Sequence, residues 1–501
     1  MQGFADMKIS KGKTMQLKEL LSNLNYECLY GSLECEVNEV INDSRKVENG
    51  GLFICITGMK SDGHDFVSQV IEKGARVLVV ERDICADITA GALVTVIKVP
   101  CTRYAQAIIA ANWFGHPANE IKTIAITGTK GKTTTAYLIK SILEQAGYKV
   151  GLIGTIEIII GDKHIAAKNT TPESLLIHKY LREMVSAGLD IVVMEAASQG
   201  FKLNRTAGII FDIGIFTNLS PDHIGPGEHV DFAEYLSCKR MLFTQCKKGF
   251  VNLDSEHYPE IIMGHTCEIT TYGIDSPADL QADGLELYRD NSSLGVCFGV
   301  SGLLKFQASV ASPGKFSVYN ALAAILVCHH FDVPITIICQ ALLNARVKGR
   351  IEILPVAADF SLMIDYAHNE MSLASLLKSL KEYEPKRLVC LFGCGGNRDK
   401  SRRDKMGEVS GRLADLTIIT SDNPRDEEPQ DIINDIKTGI TKTNGQYVEI
   451  IDRREAIAYA IRHGRAGDII VLAGKGHEDY QEIKGVKYPL DEREVVQEIF
   501  K

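Results

Sequence analysis

The sequence predicts an α/β protein in more than one domain, and three observations carry that prediction. The chain has 501 residues, past the roughly 250–300 at which one hydrophobic core stops growing. An apolar run, Ile124-Ala125-Ile126, leads into Thr127-Gly128-Thr129-Lys130-Gly131-Lys132-Thr133-Thr134-Thr135, and a helical pattern from Ala136 to Gln145 follows. Strand, glycine turn and helix in that order form a phosphate-binding loop. Strand-like runs then alternate with helical periodicity through the rest of the chain, as parallel sheets with crossover helices require.

Taken in order, residues 17–113 read as short strands and helices. Gly51–Ile56 and Ala75–Val80 are expected strands, and Phe66–Gly74 is an expected helix. Asp43-Ser44-Arg45 and Asp62-Gly63-His64-Asp65 are rich in turn formers and read as loops. Gly115-His116-Pro117-Ala118-Asn119 reads as a linker. Beyond the phosphate loop come an expected strand at Val150–Gly154, a helix over Pro172–Ala187, and strands at Ile191–Met194 and Ile209–Thr217. Leu280–Val310 alternates like antiparallel strands, and Phe316–Cys328 reads as a helix. The last section predicts strands at Ser361–Ile364, Arg387–Phe392, Leu416–Thr420 and Asp468–Leu472, with Met371–Tyr383 among the intervening helices. That alternation predicts a C-terminal Rossmann-like sheet, with ligands at the carboxyl ends of its strands. The expected domains are 1–113, a central P-loop domain with a mainly parallel sheet over 114–347, and 348–501.

Composition excludes several classes. A hydrophobic content of 45% and a charged content of 24% are ordinary for a globular protein. The net charge of −9 argues against a nucleic-acid binder. The 13 cysteines are scattered without a CxxC pair, which reads as reduced thiols of a cytoplasmic protein rather than a disulfide framework. Residues 1–14 lack the apolar core of a signal peptide. No apolar run of about 18 residues predicts a membrane span.

The chemistry sits after predicted strands. In the phosphate loop, Lys132 is placed to reach the β- and γ-phosphates of a nucleotide, and the Thr133 hydroxyl to sit on Mg²⁺. Two residues rather than four separate Gly128 from the Gly131-Lys132 pair, so the spacing is not the standard Walker A. Glu195, at a strand end one crossover away, suits a magnesium ligand. Thr217-Asn218 and Asp222-His223 end another strand, where His223 suits a second ligand or a phosphate contact. Lys239 reads as an ordinary helix lysine. Four polar clusters end the four C-terminal strands: Asp365-Tyr366-Ala367-His368, Gly393–Lys400, Ser421–Arg425 and Gly474–Glu478. Arg398, Arg425 and Glu478 together suit a zwitterionic amino acid, since guanidinium groups grip a carboxylate and a carboxylate receives an ammonium.

These motifs resemble the Mur ligases, the ATP-dependent amino-acid ligases of peptidoglycan synthesis, and among them the MurE type. That type extends UDP-N-acetylmuramoyl-L-alanyl-D-glutamate by its third residue. The matching motifs run in the family's order from about Asp43 to Gln481: TGTKGKTTT, TNLSPDH, YLSCK, GR, DYAH, GCGGNRDK, DNPR and GKGHE. The resemblance implies an ATP site at Gly128, Thr129, Lys130, Gly131, Lys132, Thr133 and Thr134, with Asn320, Arg350 and Asp365 also at the nucleotide. It implies magnesium at Thr133, Glu195, His223 and Lys239, the last as a CO₂-derived carbamate. Lys132, Glu195, His223 and Lys239 would then be catalytic. Ser44, Thr170, Thr171, Ser198 and Arg205 would meet the UDP-sugar acceptor. Arg398, Asp422, Asn423, Pro424, Arg425, Gly474 and Glu478 would bind the amino acid. The DNPR motif accompanies meso-diaminopimelate, whose distal carboxylate needs a cation, whereas lysine-adding relatives lack that arginine.

Some positions depart from the family: Ala197 for serine, Gln199 for histidine, Leu203 for glutamine, Ile224-Gly225-Pro226 for Leu-Asp, and Ser317 for asparagine. The expected reaction is a two-step amide ligation by a monomer. ATP phosphorylates the acceptor's D-glutamate γ-carboxylate, and the amine of diaminopimelate attacks the acyl phosphate. Closure of the C-terminal domain would bring the amine to that carbon and exclude water. Two rivals are another amide ligase of the superfamily, lysine-adding or of the folylpolyglutamate synthase type, and a non-catalytic nucleotide-binding paralogue.

Overall fold

A computed structural model describes residues 13–58, 61–84, 93–222, 224–225, 227–289 and 293–501. The chain forms two compact units. One comprises 1–132, 147–251 and 255–270, and the other 133–146, 252–254 and 271–501.

The first unit holds two main sheets besides a two-residue ladder of Met15–Gln16 with Glu36–Val37. The smaller takes β1 (Glu27–Tyr30), β2 (Glu39–Ile41), β3 (Gly51–Ile54), β4 (Val77–Val80) and β5 (Thr95–Lys98) in the order β1-β5-β4-β3-β2. Its middle strands β3 and β4 are apolar on both faces and fully buried, as parallel strands covered on both sides must be. Helix α1 (Thr102–Phe114) covers it and ends at Gly115, whose φ of 70° closes the last turn. The expected linker is therefore a helix cap and one 3-10 turn, Pro117–Asn119. The expected loop at Asp62–Asp65 is partly a 3-10 helix, Gly63–Phe66, capped by the Asp62 carboxylate on the His64 N–H.

The second sheet contains β6 (Lys122–Thr127), β7 (Val150–Ile153), β8 (Glu157–Ile160), β9 (Lys163–Ala166), β10 (Ile191–Glu195), β11 (Phe211–Phe216), β12 (Cys246–Asn252) and β13 (Glu268–Gly273). Their order is β9-β8-β7-β10-β6-β11-β12-β13. From β7 through β12 the pairing is parallel. The hairpin β8–β9 adds antiparallel strands that the sequence reading missed. The register sets Glu195 beside Ile126 and Phe216 beside Thr127. The ends of β10 and β11 therefore flank the start of the phosphate loop.

The second unit holds an antiparallel ribbon, β14 (Leu280–Arg289), β15 (Leu294–Gly302) and β16 (Phe306–Val310), as its alternation predicts. Its larger sheet takes β17 (Glu352–Leu354), β18 (Ser361–Asp365), β19 (Arg387–Phe392), β20 (Leu416–Ile419), β21 (Gln446–Glu449) and β22 (Asp468–Ala473). The order is β17-β18-β22-β19-β20-β21, and all but β17 are parallel. The four strands expected to end in polar clusters, β18, β22, β19 and β20, are consecutive neighbours. Their side chains alternate between two apolar clusters, one per face. Met363, Cys390 and Val471 face one way, and Leu362, Leu391 and Ile470 the other. A hairpin, β23 (Tyr480–Ile483) with β24 (Val486–Pro489), follows the last cluster. Among the described residues no helix is long and apolar enough to cross a membrane.

Candidate functional site

The phosphate loop is a strand, a glycine turn and helix α2 (Lys132–Gln145). Gly128 has φ 146° and Gly131 φ 86°, conformations closed to most side chains. A Cβ at Gly128 would lie 2.0 Å from Thr217 Oγ1, so glycine is also a steric requirement there. Asn218 staples the loop from the end of β11. Its carbonyl accepts from the Thr129 N–H at 2.9 Å, its Oδ1 accepts from the Lys130 N–H at 2.9 Å, and its Nδ2 donates to Lys130 O at 3.1 Å. Thr217 Oγ1 donates to Lys130 O at 2.6 Å. The Thr-Asn pair singled out in the sequence is thus what shapes the loop.

Two lysines converge on this turn. Lys132 Nζ donates to Gly128 O at 2.8 Å and Thr129 O at 3.2 Å. Lys239 Nζ donates to the same Gly128 O at 2.8 Å and lies 4.5 Å from the Tyr235 ring. The expectation of an ordinary helix lysine fails here. Lys239, on α3 (Phe232–Arg240), is 1% exposed. Burial, with Lys132 close by, pulls its pKa well below the usual lysine value, and Asp222 only partly offsets this. Lys130 Nζ pairs with Asp222 at 3.4 Å. His223 lies outside the described residues.

Glu195 ends β10 fully buried. Its Oε1 accepts from the Thr155 N–H at 2.8 Å and its Oε2 from Thr155 Oγ1 at 2.9 Å. A Cβ on Gly154 would fall 2.6 Å from Glu195 Oε1, so that glycine makes room for the carboxylate. Thr170 Oγ1 is 3.0 Å from Thr155 Oγ1. Thr171 Oγ1 donates to Glu195 O and accepts from the Ala197 N–H, each at 2.9 Å. Arg205 donates to Thr171 O at 2.8 Å and pairs with Glu173 at 2.6 Å. Ser198 Oγ meets the buried His229 Nε2 at 2.9 Å. Thr170, Thr171, Arg205 and Glu195 therefore form one connected patch through Thr155, and Ser198 follows Ala197, whose N–H Thr171 holds. Ser44 lies apart from it in the smaller sheet's loop, where its carbonyl accepts from Lys73 Nζ at 2.7 Å.

In the second unit Thr135 Oγ1 donates to Asn320 Oδ1 at 3.2 Å. A small cavity is lined by Thr134, Ser312, Ser317, Arg346 and Arg350 among others. The Arg350 guanidinium lies 4.7 Å from the Tyr366 ring. Asp365 accepts from the Ile351 N–H at 2.9 Å and the Ala367 N–H at 2.8 Å. Burial raises its pKa, and Arg350 works against that rise.

The four C-terminal clusters meet at neighbouring strand ends. Arg425, at φ 52°, donates from Nη1 to Gly396 O at 2.7 Å and from Nε to Glu482 at 3.2 Å. A Cβ at Gly395 would lie 3.0 Å from Arg425 Nη1 and 3.8 Å from Arg398 Cγ, so the two arginines flank one glycine. Arg398 is exposed, and Pro424 is buried with its carbonyl against Gly396. Asn423 Nδ2 donates to Glu478 Oε2 at 2.8 Å. Gly474, at φ 106°, brings the chain alongside Asp422 Oδ2. The sequence reading missed Thr155, Glu482 and Lys475 as partners of these groups. Glu482 lies in a hairpin whose KG turn was a usable signal.

Among the described residues no group of three or more His, Cys, Asp or Glu side chains could hold a metal ion. The described cysteines are free thiols.

Comparison with known proteins matches 97% of the chain. The Mur ligase family, catalytic domain matches residues 36–114, the Mur ligase middle domain 126–328, and the Mur ligase, glutamate ligase domain 349–476. The UDP-N-acetylmuramoyl-L-alanyl-D-glutamate–2,6-diaminopimelate ligase of Caldanaerobacter subterraneus subsp. tengcongensis is 44% identical over 487 residues, covering 97% of this chain and 99% of that one. The protein of the same name from Clostridium perfringens is 40% identical over 492 residues, with the same coverage. A solved structure of a ligase of that name superposes with a TM-score of 0.70 at 27% identity, covering 97% of this chain and 99% of that one.

Proposed function

The chain belongs to the Mur ligase family, and on that premise we propose that it joins meso-diaminopimelate to UDP-N-acetylmuramoyl-L-alanyl-D-glutamate at the expense of ATP, in peptidoglycan precursor synthesis. One observation beyond the likeness supports it most. The GKGHE, GCGGNRDK and DNPR clusters follow consecutive parallel strands, Arg398 and Arg425 flank Gly395, and Glu478 accepts from Asn423 of DNPR. Two guanidinium groups and a carboxylate match a substrate with two carboxylates and two ammonium groups.

The reaction divides among three domains, 1–113 for the uridine end of the acceptor, 114–347 for ATP and 348–501 for the amino acid. The loop Gly128 to Thr134, its Thr129 and Lys130 N–H groups held by Asn218, wraps the phosphates at the start of α2, and Lys132 offsets charge on the transferring phosphoryl group. Asn320, Arg350 and Asp365 orient the nucleoside. Ser44, Thr170, Thr171, Ser198 and Arg205 hold the acceptor so that its γ-carboxylate attacks the γ-phosphorus. The amine of diaminopimelate, held through Arg398, Asp422, Asn423, Pro424, Arg425, Gly474 and Glu478, then displaces phosphate from the acyl phosphate. Proximity and orientation supply most of the acceleration.

Magnesium fits the donor set. Glu195 is a buried carboxylate at the loop's edge, and Mg²⁺ takes few protein carboxylates beside substrate phosphates. Thr133, Glu195, His223 and a carbamylated Lys239 are the residues that would hold it, and the bound ion would neutralise phosphoryl charge. The depressed pKa of Lys239 favours its neutral amine, the form that adds CO₂. Such an enzyme works as a cytoplasmic monomer.

Phosphate release from ATP tests the proposal. It is expected only when both acceptor and diaminopimelate are present. Release that ignores either one, or none at all, contradicts it.

A further inference from the structure

Lys475 sits inside the GKGHE cluster with no exposed surface. Its Nζ lies 3.1 Å from Asn423 Oδ1, 3.2 Å from Glu478 Oε2 and 3.9 Å from Asp422 Oδ1. The Tyr480 ring stands 5.7 Å away on another side. A buried lysine is costly unless acceptors surround it, and here its acceptors come from two strand ends. Asp422 and Asn423 follow β20, while Glu478 follows β22. Between these strands lies β19, and the backbone bonds between the two segments run from Arg425 to Glu482 and Lys484, beyond Glu478 itself. Asn423 is tied in further, its Oδ1 accepting from the Glu482 N–H at 2.9 Å.

Resting on the diaminopimelate-ligase reading, we propose that Lys475 is a positioning residue for the amino-acid site, fixing Asp422, Asn423 and Glu478 as one constellation across the two loops. Both bonds to Glu478, from Lys475 and from Asn423 Nδ2, fall on Oε2. The carboxylate is thereby held through Oε2, which leaves Oε1 to accept from the substrate ammonium. Without Lys475, Asp422 and Glu478 are two carboxylates with no cation between them, and Asn423 Nδ2 alone is left to hold Glu478.

The test is steady-state kinetics on the full chain for wild type, Lys475→Met, Glu478→Gln and the double variant, each with a thermal melt. Lys475→Met is expected to raise KM for diaminopimelate about tenfold or more, the loss of a charge-assisted contact, with KM for ATP unchanged. In the double variant the KM is expected to be no higher than in Glu478→Gln alone, because the lysine acts through that carboxylate. A structural role alone would lower the melting temperature and both substrate affinities together, and additive losses in the double variant would equally overturn the inference. So would an unchanged KM for diaminopimelate in an active Lys475→Met protein. A wild type that releases no phosphate overturns the ligase reading, and this inference with it.

Discussion

Lys239 and Lys475 are equally buried, yet their surroundings are opposites. Lys239 meets one carbonyl and an aromatic ring beside a second lysine, with Asp222 only a partial counterweight. Lys475 meets an amide oxygen and two carboxylates. The first environment disfavours an ammonium and suits a nucleophilic amine. The second uses an ammonium as a clamp. The lesson is that burial alone does not assign a lysine its role; the charge of its neighbours does.

Breaking the Lys239 side has the largest expected effect. Lys239→Ala should cost about 10³-fold in kcat, the scale of losing one preorganised electrostatic group, while KM for diaminopimelate stays within twofold. A loss confined to KM would erase the contrast with Lys475.

His178 sharpens the contrast from another direction. It is 1% exposed and neither ring nitrogen has a hydrogen-bond partner among the described residues, so burial lowers its pKa from 6.5 to about 4. The unfolded chain therefore binds a proton that the folded chain refuses between those values. Folding stability should fall as pH drops from 6.5 towards 4, by about 3 kcal/mol in all. Denaturant melts of His178→Phe should show a shallower loss over that window. Parallel pH curves for the two proteins would contradict the assignment.

Arg425→Ala should reduce kcat/KM for diaminopimelate by about 30-fold, the worth of a charge-assisted contact, with little change for L-lysine. The smallest effect is expected at the exposed pair Arg412–Glu408. Arg412→Ala should shift stability by about 0.5 kcal/mol or less and leave both kinetic constants alone, which serves as the control.

Much of this was legible because apolar runs end in glycine-rich polar clusters. Ser361, Arg387, Leu416 and Asp468 open their strands where the pattern changes. The phosphate loop was equally plain, since Gly128 and Gly131 sit where the turn needs positive φ. The hairpin at Glu157–Ala166 escaped notice because its apolar run Ile158-Ile159-Ile160 is too short to fix a type by periodicity. The burial of Lys239 and Lys475 was illegible for a different reason, although the YLSCK motif had marked Lys239 by resemblance. A lysine's burial is decided by residues far away in sequence, 111 positions in the bond to Gly128 and 52 in the bond to Asn423. Local pattern carries no trace of that.

The most direct test of the account is the ratio of kcat/KM for meso-diaminopimelate to that for L-lysine, measured with ATP, magnesium and the UDP-linked acceptor. The account predicts a preference for diaminopimelate of at least about 100-fold, because a site built for a distal carboxylate leaves Arg398 and Arg425 unsatisfied by lysine. A ratio near one, or a preference for lysine, would contradict it.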